Sequence, residues 1–309
     1  MIWTLYILNA LAVPVLSPAI LGIIRKIKAR MQSRSGASIF QPYRDLRKLF
    51  TKDEVISEDA SWIFTWSPYI IFATTLAISA GIPMISAFTT FAPMSDMLVI
   101  VYVLAAGTFF IALSSMDTGS GFGGFGASRE MMIAALAEGG LILSLISTAI
   151  MTGTTNLSLM AATLSHISDK QLLPLALAAA AFFITLLAEN ARYPVDNPAT
   201  HLELTMVHEA MILEHSGRGL ALMEWASTNK LLIFIAIFVN VFAPFGLAIS
   251  MSPAVLLTAT VIFVVKVLIV AFVIAFIEST MAKFRIFRLP DFLLTSFVLG
   301  VIAILIVVL

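Results

Sequence analysis

Cysteine is absent from these 309 residues, and charge is scarce, with Asp, Glu, Lys and Arg making up 12% of the chain. Without a thiol the chain supplies no Cys-ligated iron–sulfur cluster or zinc site and no disulfide, so a redox metal of that kind has to sit on a partner. Soluble domains carry charge on about a quarter of their residues. With 60% hydrophobic residues and a mean hydropathy of +1.01, a soluble fold is excluded. The 18 Lys and Arg balance the 18 Asp and Glu and form no basic stripe on a soluble domain, which excludes a nucleic-acid binder. No period of about 20–50 residues recurs, so a solenoid is not suggested.

Long apolar runs are what the sequence has instead. Runs long enough to cross a bilayer fall at about Trp3–Ile24, Ser67–Thr90, Met97–Met116, Met131–Met151, Leu172–Glu189, Leu231–Ser250, Ala254–Ile277 and Leu289–Val308. The expectation is an all-α integral membrane fold of eight transmembrane helices in one domain. The first run lacks a basic stretch before it and is followed by Arg25, Lys26, Lys28 and Arg30, so it reads as a retained anchor with its N-terminus outside. Connections at about 25–66, 117–130, 190–230 and 278–288 then hold all the Lys and Arg except Lys170 and Lys266. By the positive-inside rule these connections face the cytoplasm and both termini lie outside.

Two of those loops are long. In the first, Ile39, Tyr43, Leu46 and Phe50 share one helical stripe while Arg44, Asp45, Arg47 and Lys48 occupy the other faces, which predicts an amphipathic helix on the membrane surface. It serves either as a simple anchor or as a dock for a soluble partner. In the third loop, Asn197-Pro198 as cap and first turn, a Thr200 to Glu203 capping box and the stop at Gly217 predict a helix of about five turns between Pro198 and Ser216. The run Gly119, Gly121, Gly123, Gly124, Gly126 contains G-x-G-x-x-G, but no strand precedes it, so it predicts a tight turn into the fourth span and not a dinucleotide site.

A charge in hydrocarbon costs several kcal/mol unless it is paired or meets water, so each one is a functional candidate. Four stand out: Glu138, about 13 Å along its helix from Arg129, Lys266 central in the seventh span, and Glu189 and Glu278 near the ends of theirs. They form either structural salt bridges, Lys266 with Glu138 or with Glu278, or a chain of protonatable sites. The third loop adds Asp196, Glu203, Glu209, Glu214 and Glu224 beside the mouth of such a path, or as solvated surface. His201, His208 and His215 recur every seven residues, about 10.5 Å apart on a helix, which is too far for one metal. Position 212 is Ile212, so H-E-x-x-H fails as well. Contacts to a partner or to lipid headgroups, or proton relay, remain for them.

The run from Glu189-Asn-Ala-Arg192-Tyr-Pro194-Val-Asp196-Asn-Pro198 through Thr200-His-Leu-Glu203 and His208-Glu209 to Glu214-His-Ser-Gly217-Arg218 resembles the membrane subunit of energy-converting group 4 [NiFe] hydrogenases. That subunit is homologous to subunit 1 of respiratory complex I. Asp117-Thr-Gly-Ser, Gly126-Ala-Ser-Arg129-Glu130, Gln41-Pro-Tyr-Arg44-Asp45-Leu-Arg-Lys48-Leu, and Lys266 with Glu278 through Arg285 fit the same pattern, so the resemblance runs almost end to end. It implies a non-catalytic subunit in a prokaryotic cytoplasmic membrane, with no cofactor or metal of its own. Its partners would be soluble hydrogenase large and small subunits carrying the [NiFe] centre, a ferredoxin-like iron–sulfur subunit, antiporter-like membrane subunits and lipid.

The resemblance implies a proton path through Glu138 and Glu189 first, then Glu130, Asp196, Glu203, Glu209 and Glu214, with Lys266 and Glu278. Partner docking would fall to Arg44, Asp45, Arg47, Lys48, Arg129, Arg192, His201, His208 and Arg218. Quinone-using relatives read Pro-Phe-Asp followed by closely spaced glutamates in the third loop, whereas here Val195 and Thr200-His201-Leu202-Glu203 stand there, which argues against quinone reduction. The alternatives are a quinone-site subunit, which requires a lipid-accessible apolar tunnel, and a free-standing carrier, which would show internal repeats and broken helices.

Overall fold

The computed structural model describes residues 2–86, 90–165, 169–197, 206–248 and 252–309. Among these residues there is no strand, and eight helices are long and apolar enough to cross a membrane. In chain order the helices are α1 (Ile2–Met31), α2 (Gln41–Phe50), α3 (Trp62–Gly81), α4 (Met97–Asp117), α5 (Gly121–Thr152), α6 (Leu157–Leu164), α7 (Asp169–Glu189), α8 (His208–Ile212), α9 (Gly217–Ile237), α10 (Pro253–Thr280) and α11 (Leu289–Val308). All but α2, α6 and α8 are spans, and α9 runs on through a π-helical turn at Phe238–Phe242. The chain is a multi-pass membrane protein.

Hydrogen bonds fix which connections share an end. Val55 and Ser216 exchange bonds of 2.8 and 3.0 Å, Asp117 caps α3 through the Ser61 amide and hydroxyl at 2.7 Å each, and the Phe284 amide donates to the Pro194 carbonyl at 2.9 Å. These contacts gather the Lys- and Arg-rich connections into one basic end. At the opposite end the Ala248 amide donates to Ile85 and the Met97 amide to Thr155. The span containing α9 has 78% of its apolar window buried, against 22% for the one containing α11, so α9 is the central post and α11 lies on the perimeter. Phe182 of α7 packs on Phe234, Phe238 and Phe242 along that post.

Three expectations give way here. The third loop has no five-turn helix, because Met206 and Val207 are non-helical, α8 is only five residues long, and His215 and Ser216 lie beyond it. Positions 198–205, with Thr200, His201 and Glu203, fall outside the described residues. The sixth span begins at Gly217, not Leu231. The glycine run is helix from Gly121 onward, with only Gly119, at φ +67°, making the turn. A Cβ on Gly123 would stand 2.1 Å from the Ser115 carbonyl oxygen, and one on Gly126 2.9 Å from the Ala210 Cβ. These glycines, three apart on one face, let α4 and α8 approach the backbone of α5, and that packing overrides their weak helix propensity.

Prolines inside α1 are resolved by the neighbouring helices. Pro14 removes the amide that would serve the Ala10 carbonyl, and the Ser79 hydroxyl of α3 donates to it at 2.7 Å. Pro18 does the same to the Pro14 carbonyl, and the Trp225 indole of α9 donates there at 2.9 Å. Helix α2 seats on this region, with Leu46 and Pro42 buried, Phe50 edge-on to Trp225 at 6.1 Å, and the Tyr43 hydroxyl donating to the Val15 carbonyl. Replacing Trp225 with Phe should cost about 1–2 kcal/mol by orphaning the Pro14 carbonyl. In a Pro18→Ala background, where an amide returns to position 18, the same change should cost much less. Thermal unfolding of the four proteins in detergent measures the coupling, and equal costs in both backgrounds would remove this account.

Candidate functional site

Charged side chains that the sequence scatters over five segments converge at the basic end. The turn after α7 reverses tightly, with Ala191 at φ +48° and the Arg192 amide bonded to the Leu187 carbonyl at 2.8 Å. This points Arg192 inward, where its Nη1 donates to Glu278 Oε1 of α10 at 3.1 Å while Lys28 Nζ of α1 donates to Oε2 at 3.0 Å. The Glu278 side chain is 3% exposed, so its charge is held almost wholly by these two cations. Lys28 also lies 4.9 Å over the Tyr193 ring. Asp196 accepts from Lys283 Nζ at 2.5 Å and from the His208 amide at 3.3 Å, which ties the turn to α8 and to the segment before α11.

Two cavities meet behind this turn. The inner one, about 40 Å³, is lined by Glu130, Glu189, Lys230, Thr108 and His208 among apolar neighbours. That volume suits a few ordered waters. Lys230 Nζ donates to Glu189 Oε2 at 2.8 Å, and Glu189 Oε1 and Asn190 Oδ1 are buried without a protein partner, so water in the cavity is their natural one. The outer cavity, about 580 Å³, is lined by Arg25, Lys28, Arg34, Arg192, Glu209, Glu224 and Glu278, and it shares Asn190, Ala191, His208 and Ser227 with the inner one. His208 therefore stands in the partition. Burial pushes its imidazole down to about 4, against the opposing pull of Asp196, so the ring is neutral at neutral pH. Burial, with Glu224 and Asp196 adding to it, pushes the Glu209 carboxyl up to about 7.

The other sequence candidates divide. Glu138 lies eight residues, about 12 Å, beyond Glu130 on α5, half-exposed and without an ion pair among the described residues. Lys266 is far from the cluster and makes neither expected salt bridge. Its ammonium donates to the carbonyls of Val239, Ala243 and Phe245 and to Asn240 Oδ1 at 2.8–3.1 Å, where α9 unwinds. A helix C-terminus concentrates negative partial charge, so a cation suits it without any carboxylate. Arg44, Arg47, Lys48, Glu214 and Arg218 are exposed, and Asp45 accepts from Gln41 Nε2 at 2.8 Å. Arg129 donates to the Met206 carbonyl at 3.0 Å.

His215 belongs to the core, stacked on Phe64 at 3.9 Å, with its ring likewise pushed down to about 4 by burial. The seven-residue histidine stripe therefore does not form. Sequence reasoning missed Lys28, Lys230 and Arg25 as members of the site. All three read as loop charges, and nothing local links Lys230 to Glu189, 41 positions away.

The family model described as NADH dehydrogenase matches residues 3–309. Hydrogenase-4 component C of Escherichia coli (strain K12) is 37% identical over 278 residues, covering 90% of this chain and 87% of that one. Formate hydrogenlyase subunit 4 of the same strain is 34% identical over 280 residues, covering 91% and 90%. More distantly, NADH-ubiquinone oxidoreductase chain 1 of Zaedyus pichiy is 28% identical over 296 residues, covering 93% and 90%. A chain in the structure of the membrane-bound sulfane sulfur reductase, an archaeal respiratory membrane complex, shares the fold with a TM-score of 0.87 at 22% identity, covering 99% of both chains.

The two titrating groups at the partition give opposite pH responses. Between 4.5 and about 7 the folded chain keeps the Glu209 proton that the unfolded chain has released, so this residue lowers stability as pH rises through that window. Between about 4 and 6.5 the unfolded chain binds a proton that folded His208 refuses, so this residue lowers stability as pH falls. Relative to the parent, Glu209→Gln should gain stability on the alkaline side and His208→Gln on the acid side. Unfolding midpoints across pH check both signs, and curves parallel to the parent's would refute them. For Lys266→Met, two buried and two part-buried acceptors lose their donor, and a loss of about 2–4 kcal/mol is expected in the same assay. An unchanged midpoint would deny the capping role.

Proposed function

This chain belongs to the NADH dehydrogenase family and is a membrane subunit of an energy-converting complex, and on that premise we propose that it anchors a soluble hydrogenase arm and conducts protons between that arm and antiporter-like membrane subunits. The observation that carries the proposal is the pair of cavities divided by His208, with ionisable groups on both sides. The basic end faces the cytoplasm by the positive-inside rule. α1, α5 and α10 have 30, 32 and 28 residues, about 42–48 Å of helix against a hydrocarbon core of about 30 Å. The excess length lifts the charged cluster toward the soluble arm. Exposed Arg44, Arg47, Lys48 and Arg218 then serve as docking charges, and the arm carries the [NiFe] centre and iron–sulfur clusters.

In this reading a proton enters the outer cavity and exchanges with Glu209, whose protonation near 7 suits uptake at cytoplasmic pH. Neutral His208 takes a proton on one ring nitrogen and releases another from the opposite one, a relay and not a store. Inside, Glu189 trades its ion pair with Lys230 for the proton, Glu130 faces the same water, and Glu138 hands the charge sideways to a neighbouring subunit. A charge entering this chain is thereby balanced by one leaving it, with no bond made or broken apart from those to hydrogen.

The quinone reading requires an apolar tunnel. The outer cavity is instead lined with four cations and three carboxylates, which favours the proton route. Purification of the chain from its native membrane in mild detergent, followed by elemental analysis, tests the assignment. Stoichiometric nickel with several irons is expected, and iron without nickel would transfer the chain to a quinone-linked or metal-depleted complex. In vesicles, Glu138→Gln should abolish most proton movement, about a hundredfold or more as for loss of a proton-transfer group, while the soluble subunits still co-purify. Survival of both assembly and pumping would make Glu138 structural.

A further inference from the structure

A third cavity, about 560 Å³, opens at the basic end beside the start of α11, away from the two that share His208. Arg129, Lys283 and Arg285 line it together with Tyr193, Phe284 and Phe287. Its charge differs in kind from that of the outer cavity. There every cation has carboxylates in the same wall, whereas no Asp or Glu lines this one among the described residues. Lys283 reaches back to Asp196 at 2.5 Å, but Arg129 spends one nitrogen on the Met206 carbonyl and Arg285 has no carboxylate partner among the described residues. Two guanidinium groups are therefore left facing a cavity, and guanidinium groups bind phosphate oxygens bidentately.

The apolar side of the cavity narrows the ligand class. Phe287 is 89% exposed at the rim, and below it α11 turns Leu294, Phe297 and Val298, 49%, 43% and 52% exposed, outward on the perimeter of the bundle. A free phosphate has no use for such a wall. Arg129 lies about 15 Å along α5 from Gly139, which meets Phe297, and Leu289 lies about 12 Å from Phe297 along α11, so the cations stand level with the start of the apolar part of α11. Positive charge at that level over an outward-facing apolar strip matches a lipid with a negative head and two acyl tails.

We propose that this cavity seats the head group of an anionic phospholipid, its phosphate held by Arg129 and Arg285 and its acyl chains lying along α11. The site rests on local charge and exposure and is independent of the proton route. It also reassigns Arg129, which the sequence places among residues for docking a protein partner.

The test uses the intact complex in nanodiscs of phosphatidylglycerol or of phosphatidylcholine, with native mass spectrometry counting the lipid retained after release. Retention of phosphatidylglycerol over phosphatidylcholine is expected, falling about thirtyfold in Arg129→Gln/Arg285→Gln on the scale of two lost surface cations. Arg285→Gln alone, at an exposed position that folding does not need, should lose an intermediate share. Inorganic phosphate at millimolar concentration should displace none of the lipid. Displacement by phosphate would overturn the proposal in favour of a soluble anion site. Unchanged lipid retention in the double variant would overturn it too, and loss of the soluble subunits with lipid retained would assign the cavity to an acidic segment of a partner.

Discussion

Hydrocarbon offers no hydrogen bonds, and that single constraint governs the placement of nearly every polar group in this fold. A backbone carbonyl freed by proline, a helix end that unwinds before the interface, or a buried carboxylate has to be served from within the bundle. Ser79 and Trp225 serve the proline-bearing α1, Lys266 serves the unwound end of α9, and Lys28 with Arg192 serve Glu278. Apart from the Lys266 contact, these bonds join segments 69–250 positions apart. The polar groups therefore specify which apolar faces meet, a task that dispersion between equally greasy helices does poorly.

The same constraint explains why the ionic groups cluster at one end. Glu278, Glu189 and Asp196 are almost fully enclosed and each has a cation at 2.5–3.1 Å. Removing one partner from such a pair leaves an uncompensated charge, which is costly enough to keep the arrangement intact. Where compensation is incomplete, as at Glu189 Oε1 and Asn190 Oδ1, a small cavity with room for water adjoins the unpaired atoms.

The spans were legible in the sequence because apolar length is a local property. Six of the eight helices begin or end within three residues of where hydropathy puts them, while the sixth starts fourteen residues earlier, since Arg218, Glu224, Asn229 and Lys230 interrupt the apolar run over its first four turns. Helix signals misled in the third loop. Caps and a stop are there on paper, but Asp196 captures the His208 amide and Gly126 draws Val207 and Ala210 against α5, so tertiary contact shortens the helix to α8. Of the site, the acids could be chosen from the sequence because burial of a carboxylate is conspicuous in apolar surroundings. Their partners could not, as a lysine at the end of an apolar run looks the same whether it meets water or Glu189.

The two prolines of α1 carry a consequence for biogenesis. The Pro14 carbonyl receives its hydrogen bond from Trp225, 211 positions later in the chain. At a synthesis rate of about 5–20 residues per second, that oxygen waits roughly 10–40 s after leaving the ribosome for its donor to exist. Lys28 waits longer still, for a carboxylate 250 positions downstream. The first helix thus enters the membrane as a provisional element, and whatever machinery receives it must shelter an open carbonyl until α9 arrives. Truncation anywhere before α10 leaves the oldest part of the chain permanently unfinished.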